Sequence, residues 1–436
     1  MPEQQAGFSH WEVTFDEKGG LVQLSDGDKL VSEVAREGLS DIFVFAHGWN
    51  NDPQTARNLY LRFYTQMQEV LAGYPRTSAR IGTVGVIWPS MRWIDESPPD
   101  RRQGAAGMDH IKLAVSDRQL VQGLRAVFTD FAQQNAIDGM ARLLDGKAKD
   151  EQSLREFHGL IGQLAGAPDP TGSVEDNGES RGLLGEDALD VFQRFAALAP
   201  RRRVGGAAGI EDSFGKLWGG AKEALRAATY WEMKKRAGVV GKKGLGPLMG
   251  RLQRASAKLR VHLIGHSFGA RLVSFCLAGL PNDPTSRGVA SVMLLQGAFS
   301  HFAFAAKLPQ DPDRGGALKG MAARVDGPIC VTHSLKDTAV GTAYPLASLA
   351  SRDDAAALGD PLYRWGAMGH DGAQAVAAAS APLGKVGAKY PFGVGSFLNL
   401  DANHVITHGG PPSGAHSDIV HPQIAWALLG SARVVH

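Results

Sequence analysis

The chain has 436 residues, 44% of them hydrophobic and 21% charged, with a formal net charge of +2. This is the composition of a globular protein with room for one large core and an inserted unit. The small net charge argues against a nucleic-acid binder, which would carry a large basic excess. Two cysteines, Cys276 and Cys330, lie in apolar runs and read as small core residues, which argues against a disulfide framework or cysteine metal site.

The first residues, MPEQQAGFSHWEV, lack a charged segment followed by an apolar one, and no run nears the ~18 apolar residues of a membrane span, so a cytoplasmic protein is expected. Residues 11–26 read as β structure with a turn at Lys18-Gly19-Gly20. Asp41 to Ala46 (DIFVFA) is a continuous apolar run, as expected of a strand buried on both faces. An amphipathic helix over Thr55–Leu71 and a second buried strand, Ile81–Trp88, stopped by Pro89, complete a βαβ unit.

From about residue 94 to 258 no strand is expected. Helical segments predominate at Met108–Gln134, Asp150–Leu164, Glu186–Leu198 and Ser213–Arg236, with a polar Gly/Pro-rich loop at 169–182. The expected organisation is therefore a core of 1–95 and 256–436 with a helical insertion at 96–255. Residues 201–260 carry 15 Lys/Arg against 4 Asp/Glu, either a solvated helical face or a surface for peripheral contact with an anionic membrane or substrate. The βα rhythm then resumes: strand VHLIG after Arg260, helix 269–280, strand SVMLLQGA, strand ICVTHS, a helix near Tyr344–Ala350, a strand at Ser396–Leu400 and a helix from Pro422 to Val435.

The pattern G-x-S-x-G occurs twice, at Gly265-His266-Ser267-Phe268-Gly269 and at Gly178-Glu179-Ser180-Arg181-Gly182. A nucleophilic serine needs a strand that turns sharply into a helix, with small residues letting the backbone fold tightly beneath the hydroxyl. Ser267 follows LRVHLI and precedes ARLVSFCLAGL, which meets that need, whereas Ser180 follows TGSVEDN, a polar loop.

The stretch around Ser267 resembles the α/β-hydrolase superfamily, and the resemblance extends over about residues 10–95 and 256–436. It implies an α/β fold with an eight-stranded, mostly parallel sheet, flanking helices and, here, the helical insertion as a cap. It also implies a Ser-acid-His triad in that chain order. The acid expected is Asp337: VTHSLKDTAV is similar to the family's strand-end pattern, with Ser334 where glycine is usual, while Asp326 precedes its strand and lies at the wrong end of the sheet. A helix cap or turn is the structural alternative for Asp337.

The base should follow the last strand. His416 in Gly414-Ala415-His416-Ser417-Asp418 fits that layout, with His421 the next candidate and His370, His404 and His408 behind it. The resemblance assigns the oxyanion donors to the backbone N–H groups of Phe268 and of Trp49 in His47-Gly48-Trp49, a segment that also reads as a strand-to-helix turn capped by Asn50 or Asp52. Trp88 and Trp93 suit either a pocket or the core.

His404-x-x-x-His408 has zinc-ligand spacing, but Gly409-Gly410-Pro411-Pro412 follows at once and argues against a helix there. The activity expected is cofactor- and metal-independent hydrolysis of a small-molecule or lipid ester. Thioester, amide or lactone hydrolysis on the same triad, or a silent scaffold used for binding, are the alternatives.

Overall fold

A computed structural model describes residues 2–49, 51–74, 78–90, 117–165, 186–198, 213–283, 287–309, 311–340, 366–410 and 413–435. Trp93, Asn50, the start of the expected 108–134 helix, the 169–182 loop with Ser180, residues 201–212 and the expected 344–350 helix lie outside the described residues.

The described strands form one sheet. They are β1 (Glu3–Gln5), β2 (Phe8–Thr14), β3 (Asp41–Ala46), β4 (Ile81–Ile87), β5 (Arg260–His266), β6 (Ser291–Leu295), β7 (Ile329–His333), β8 (Ala378–Pro382) and β9 (Phe397–Asp401). Their order is β1-β2-β4-β3-β5-β6-β7-β9-β8, nine strands where eight were expected. Every pairing is parallel except β1 with β2. The strands β3 and β6 are buried along their whole length and β5 everywhere but at Arg260, which is why their sequences are largely apolar. The short edge strands β1 (EQQ) and β8 (AASAP) are polar or small and mostly exposed, and β8 ends in a proline that donates to no ladder.

The expected β structure over 11–26 gives way earlier than predicted. After β2 the chain turns on Asp16, whose carboxylate accepts from Lys18 and Gly20 N–H, and helix α1 (Leu24–Glu37) begins, burying Leu30 and Val34 at a four-residue spacing. Helix α2 (Pro53–Ala72) is capped by Asp52, which accepts from Thr55 N–H at 2.7 Å. On its buried face the Tyr60 and Tyr64 hydroxyls donate to carbonyls of β4, Val86 O at 2.6 Å and Val84 O at 3.0 Å.

The chain divides into two compact units, one of Met1–Ser90, Lys234–Pro345 and Leu362–His436, the other of Met91–Met233 and Leu346–Pro361. The second unit is helical in its described residues, with α3 (Asp117–Val127), α4 (Phe131–Gly146), α5 (Glu151–Ala165), α6 (Ala188–Leu198) and most of α7 (Ser213–Val239). The single helix expected to end at Gln134 is broken, because Asp130 accepts from Ala132 N–H and starts a new helix. Within this unit Phe157, Phe192 and Trp218 pack edge to face, and the Trp218 indole donates to Ala148 O at 3.1 Å.

The expected insertion boundary at 255 also moves. Beyond α7 a π-helical turn, Val240–Leu245, leads into α8 (Gly246–Ala255), and both belong to the unit that carries the sheet. A Cβ on Gly241 would stand 2.1 Å from Leu272 O, and one on Gly279 would stand 2.0 Å from Lys242 O. These glycines let the segment lie directly against helix α9 (Phe268–Gly279).

Candidate active site

The sheet order changes direction at β3. One connection leads from β3 through α2 to β4 on one side, while β5 lies on the other. Ligands of open parallel sheets gather outside the carboxyl ends of the strands at such a switch point. The two loops that leave β3 and β5 there are His47-Gly48-Trp49 and His266-Ser267-Phe268.

Ser267 links β5 to α9 with φ 57 and ψ −120, a conformation that costs a non-glycine residue about 1–3 kcal/mol. Its surroundings enforce it. Ser267 N–H donates to Leu295 O at 3.1 Å, and Ser267 O accepts from Ala270 at 3.1 Å and Ala298 at 3.2 Å. A Cβ on Gly265 would sit 2.3 Å from Gly269 O, and one on Gly269 would sit 2.0 Å from Ala46 O, so both glycines of the motif are required by close approach. Phe268 is the first residue of α9.

The β3 loop is pressed against the serine. A Cβ on Gly48 would stand 2.6 Å from Ser267 Cβ. Gly48 O lies 2.8 Å from His47 Nδ1 and accepts from Asn51 Nδ2 at 3.2 Å. The carbonyl is thus held on one side, and in a trans peptide the Trp49 N–H points to the other. Burial lowers His47 to about 4, so its ring is neutral at physiological pH. Trp88 N–H donates to its Nε2 at 3.4 Å, which leaves the proton on Nδ1 for Gly48 O. The Trp88 indole stacks on this ring and donates to His47 O at 3.0 Å, so Trp88 is a buried support of the loop.

Asp337 and His416 come together: His416 Nδ1 lies 2.8 Å from Asp337 Oδ2, with Asp337 fully buried and His416 at 13% exposure. Asp337 Oδ1 accepts from Val340 N–H at 3.2 Å, so the turn-capping role expected as the alternative is filled at the same time. Ser334, in the glycine position, is buried with its hydroxyl donating to Ile406 O at 3.0 Å. The His416 loop is tied to the Asp337 loop through Ala415 N–H to Lys336 O at 2.9 Å and Ala339 N–H to Ser413 O at 3.2 Å. Gly414 has φ +58, and a Cβ there would meet Lys336 O at 2.5 Å.

Among the described residues no hydrogen bond joins Ser267 Oγ to His416. The connection runs through His266, whose Nε2 donates to His416 O at 2.9 Å while the two rings lie 4.9 Å apart. Burial and the neighbouring His416 push His266 down to about 3, so it is a neutral donor.

The other histidines are engaged elsewhere. His421 pairs with Asp418 at 2.8 Å and stands at the N-cap position of helix α11 (Pro422–Ser431) without a side-chain capping bond; α11 follows the short helix α10 (Met368–Asp371). Asp418 also accepts from Thr407 and His408 N–H. Despite burial, which raises it, His421 and these N–H groups hold it down to about 2. His404 and His408 lie outside any helix, and among the described residues no group of three or more His, Cys, Asp or Glu could hold a metal. Asp371 takes His370 Nδ1 at 2.7 Å and His301 Nδ1 at 3.0 Å, and its bond raises His370.

Two features are absent from the sequence reading. Gln296, just past β6, donates to Asp337 Oδ2 at 2.9 Å. At the other end of the strands, Ser291 Oγ lies 2.8 Å from His262 Nδ1, and His262 Nε2 lies 2.9 Å from Asp41 Oδ1, all three fully buried. The signal for Gln296 was its polarity in an otherwise apolar LLQGA run. The second array depends on sheet register and gave none.

Comparison with family models, with curated proteins and with solved structures found no match to this chain.

Proposed function

We propose that this protein is a serine hydrolase of the α/β-hydrolase type that cleaves carboxylic esters, with Ser267 as nucleophile, His416 as general base and Asp337 as its orienting acid. The observation that carries this reading is the strained Ser267 turn at the switch point of the sheet, with the His416–Asp337 pair fastened to the neighbouring residue. Strain of this kind, held by so many contacts, is difficult to explain by packing alone.

In the reaction, Ser267 Oγ attacks the ester carbonyl carbon as its proton passes to His416 Nε2. Negative charge develops on the carbonyl oxygen, which the Phe268 and Trp49 N–H groups receive. Collapse expels the alcohol, which takes the proton from His416 and leaves an acyl-serine. Water then attacks the acyl carbon, giving its proton to His416, and the acid departs as Ser267 is re-protonated. Asp337 keeps the imidazole proton on Nδ1 and stabilises the imidazolium. Catalytic hydrogen bonds are commonly long without substrate, so the open Ser267–His416 step is compatible with this sequence.

The substrate class is a small-molecule or lipid ester, and the reaction as drawn needs no cofactor. No described helix is long and apolar enough to cross a membrane. Hydrolysis of p-nitrophenyl esters from short to long acyl chains, by wild type and Ser267→Ala, tests the proposal. Activity lost in the variant supports it, and the chain-length profile separates esterase from lipase. Equal activity in both proteins removes Ser267 from the mechanism.

A further inference from the structure

Strand β6 is apolar from Val292 to its end at Leu295, and the next residue, Gln296, is fully buried at φ 45. A positive φ at a non-glycine residue persists only where the surroundings over-determine it. Here the side-chain amide and the backbone N–H are all engaged. Nε2 donates to Asp337 Oδ2 and to Gly369 O, both at 2.9 Å. Oε1 accepts from Thr332 Oγ1 at 3.0 Å, and the backbone N–H donates to the same hydroxyl oxygen at 3.2 Å. Both partners of Nε2 are acceptors and the partner of Oε1 is a donor, so the amide has one orientation.

Asp337 Oδ2 therefore receives two donors, the Gln296 amide and His416, while Oδ1 takes Val340 N–H. A buried position between apolar strands would accept leucine or methionine with less desolvation. What glutamine adds is a neutral donor aimed at a fully buried carboxylate. A carboxylate so held stays an acceptor towards His416, and that fixes the imidazole proton on Nδ1 and leaves the Nε2 lone pair for the serine. The same amide fastens Gly369, whose carbonyl also accepts from Ser334 N–H at 2.9 Å, so the loop that bears Asp337 is tied from two sides.

We propose that Gln296 is a positioning residue for the acid of the triad, setting the orientation of the Asp337 carboxylate and through it the tautomer of His416. This rests on the hydrolase reading of Ser267. The test is the pH dependence of kcat/KM, with kcat and KM separated, for wild type, Gln296→Met and Gln296→Glu on one ester, with Ser267→Ala alongside and active sites titrated in each preparation.

Gln296→Met removes the donor at nearly constant volume. The expected result is kcat lower by about tenfold with KM within about twofold, well short of the ~10⁴ lost when a triad acid is neutralised. The acid limb of kcat/KM moves to higher pH, because a carboxylate that no longer shares its charge with the amide holds the imidazolium more tightly. Gln296→Glu sets a second carboxylate against Asp337, and the two must share a proton, so the loss is larger, about 100-fold.

A folded Gln296→Met with wild-type kcat and an unmoved acid limb overturns the proposal, as a purely structural glutamine would leave both unchanged per active site. Should that variant fail to fold, Thr332→Val carries the same test. It strips the hydroxyl from both Gln296 contacts, and the same shift at smaller size is expected. An unmoved limb there is the contrary result. Wild-type activity that survives Ser267→Ala would instead defeat the hydrolase reading itself, a separate outcome.

Discussion

The same group of parallel strands carries a Ser-His-Asp array at each end, and the two differ in ways that bear on function. At the amino ends, Ser291, His262 and Asp41 form a continuous chain of hydrogen bonds within regular strand pairing, with His262 opposite Ser291 and Asp41 opposite Arg260. Asp41 also takes Arg260 Nη2 at 2.6 Å and Ser40 Oγ at 2.6 Å. Burial would raise this carboxyl, but His262, Ser40 and Arg260 together hold it below the usual range. His262 is lowered by burial and stays neutral, so the serine hydroxyl is committed as a donor to a ring nitrogen.

At the carboxyl ends, Ser267 sits on a strained turn, its hydroxyl uncommitted to His416, beside a glycine loop and the start of a helix. The donors to Asp337 are His416, an amide and a backbone N–H, none of them a permanent cation. The amino-end array is closed in hydrogen bonding and charge, with each polar side chain already committed to a partner. The carboxyl-end array lacks a Ser267–His416 hydrogen bond, and under the proposed reading that open step is where substrate enters. Residue identity alone does not distinguish them; saturation, strain and strand polarity do.

Paired substitutions sharpen the contrast. Ser267→Ala should lower kcat by about 10⁴-fold or more at unchanged stability. Ser291→Ala should leave kcat within about twofold and cost about 1–2 kcal/mol in denaturant unfolding, the worth of a buried hydrogen bond. Next in size are the acids. Asp337→Asn should lower kcat by about 10³–10⁴ through the wrong tautomer. Asp41→Asn should spare the activity of the folded fraction and cost about 3 kcal/mol, since it strips the charge from the partner of buried His262 and half-exposed Arg260. Parallel effects of the two aspartates on kcat would break the distinction.

A pH dependence that both ends share separates neither array from the other and bears on stability alone. Burial lowers His10 and His47 to about 4 and His266 to about 3, and it lowers His262 as well. These rings are neutral when folded and take up protons on unfolding below 6.5. Their contribution is therefore complete above pH 6.5 and is lost as pH falls towards 4. For fully buried His47 the difference amounts to about 3 kcal/mol. Thermal unfolding followed from pH 8 to 4 should show a plateau and then a declining Tm, and a Tm that rises across this range would contradict the assignment.

The strand–turn–helix around Ser267 was legible because its signals are contiguous: an apolar strand, two required glycines and a helix within a few residues. Asp337 and His416 were ranked by the resemblance, through its strand-end pattern and chain order, and the structure brings the two side chains into a hydrogen bond. For Gln296 only its polarity was legible, since its contacts depend on the pairing of Leu295 with Thr332 across β6 and β7. The Asp41–His262 contact spans 221 residues and exists only through β3–β5 register. The helix at Leu24–Glu37 was hidden by its polar face, and the edge strand β8 by the lack of any apolar run.

The most direct measurement is covalent labelling with a fluorophosphonate followed by peptide mass analysis, which reads serine nucleophilicity without knowledge of the substrate. One adduct per chain is expected, on the peptide bearing Ser267, lost in Ser267→Ala and retained in Ser291→Ala. An unlabelled wild-type protein, or a label that persists in Ser267→Ala, would contradict this expectation.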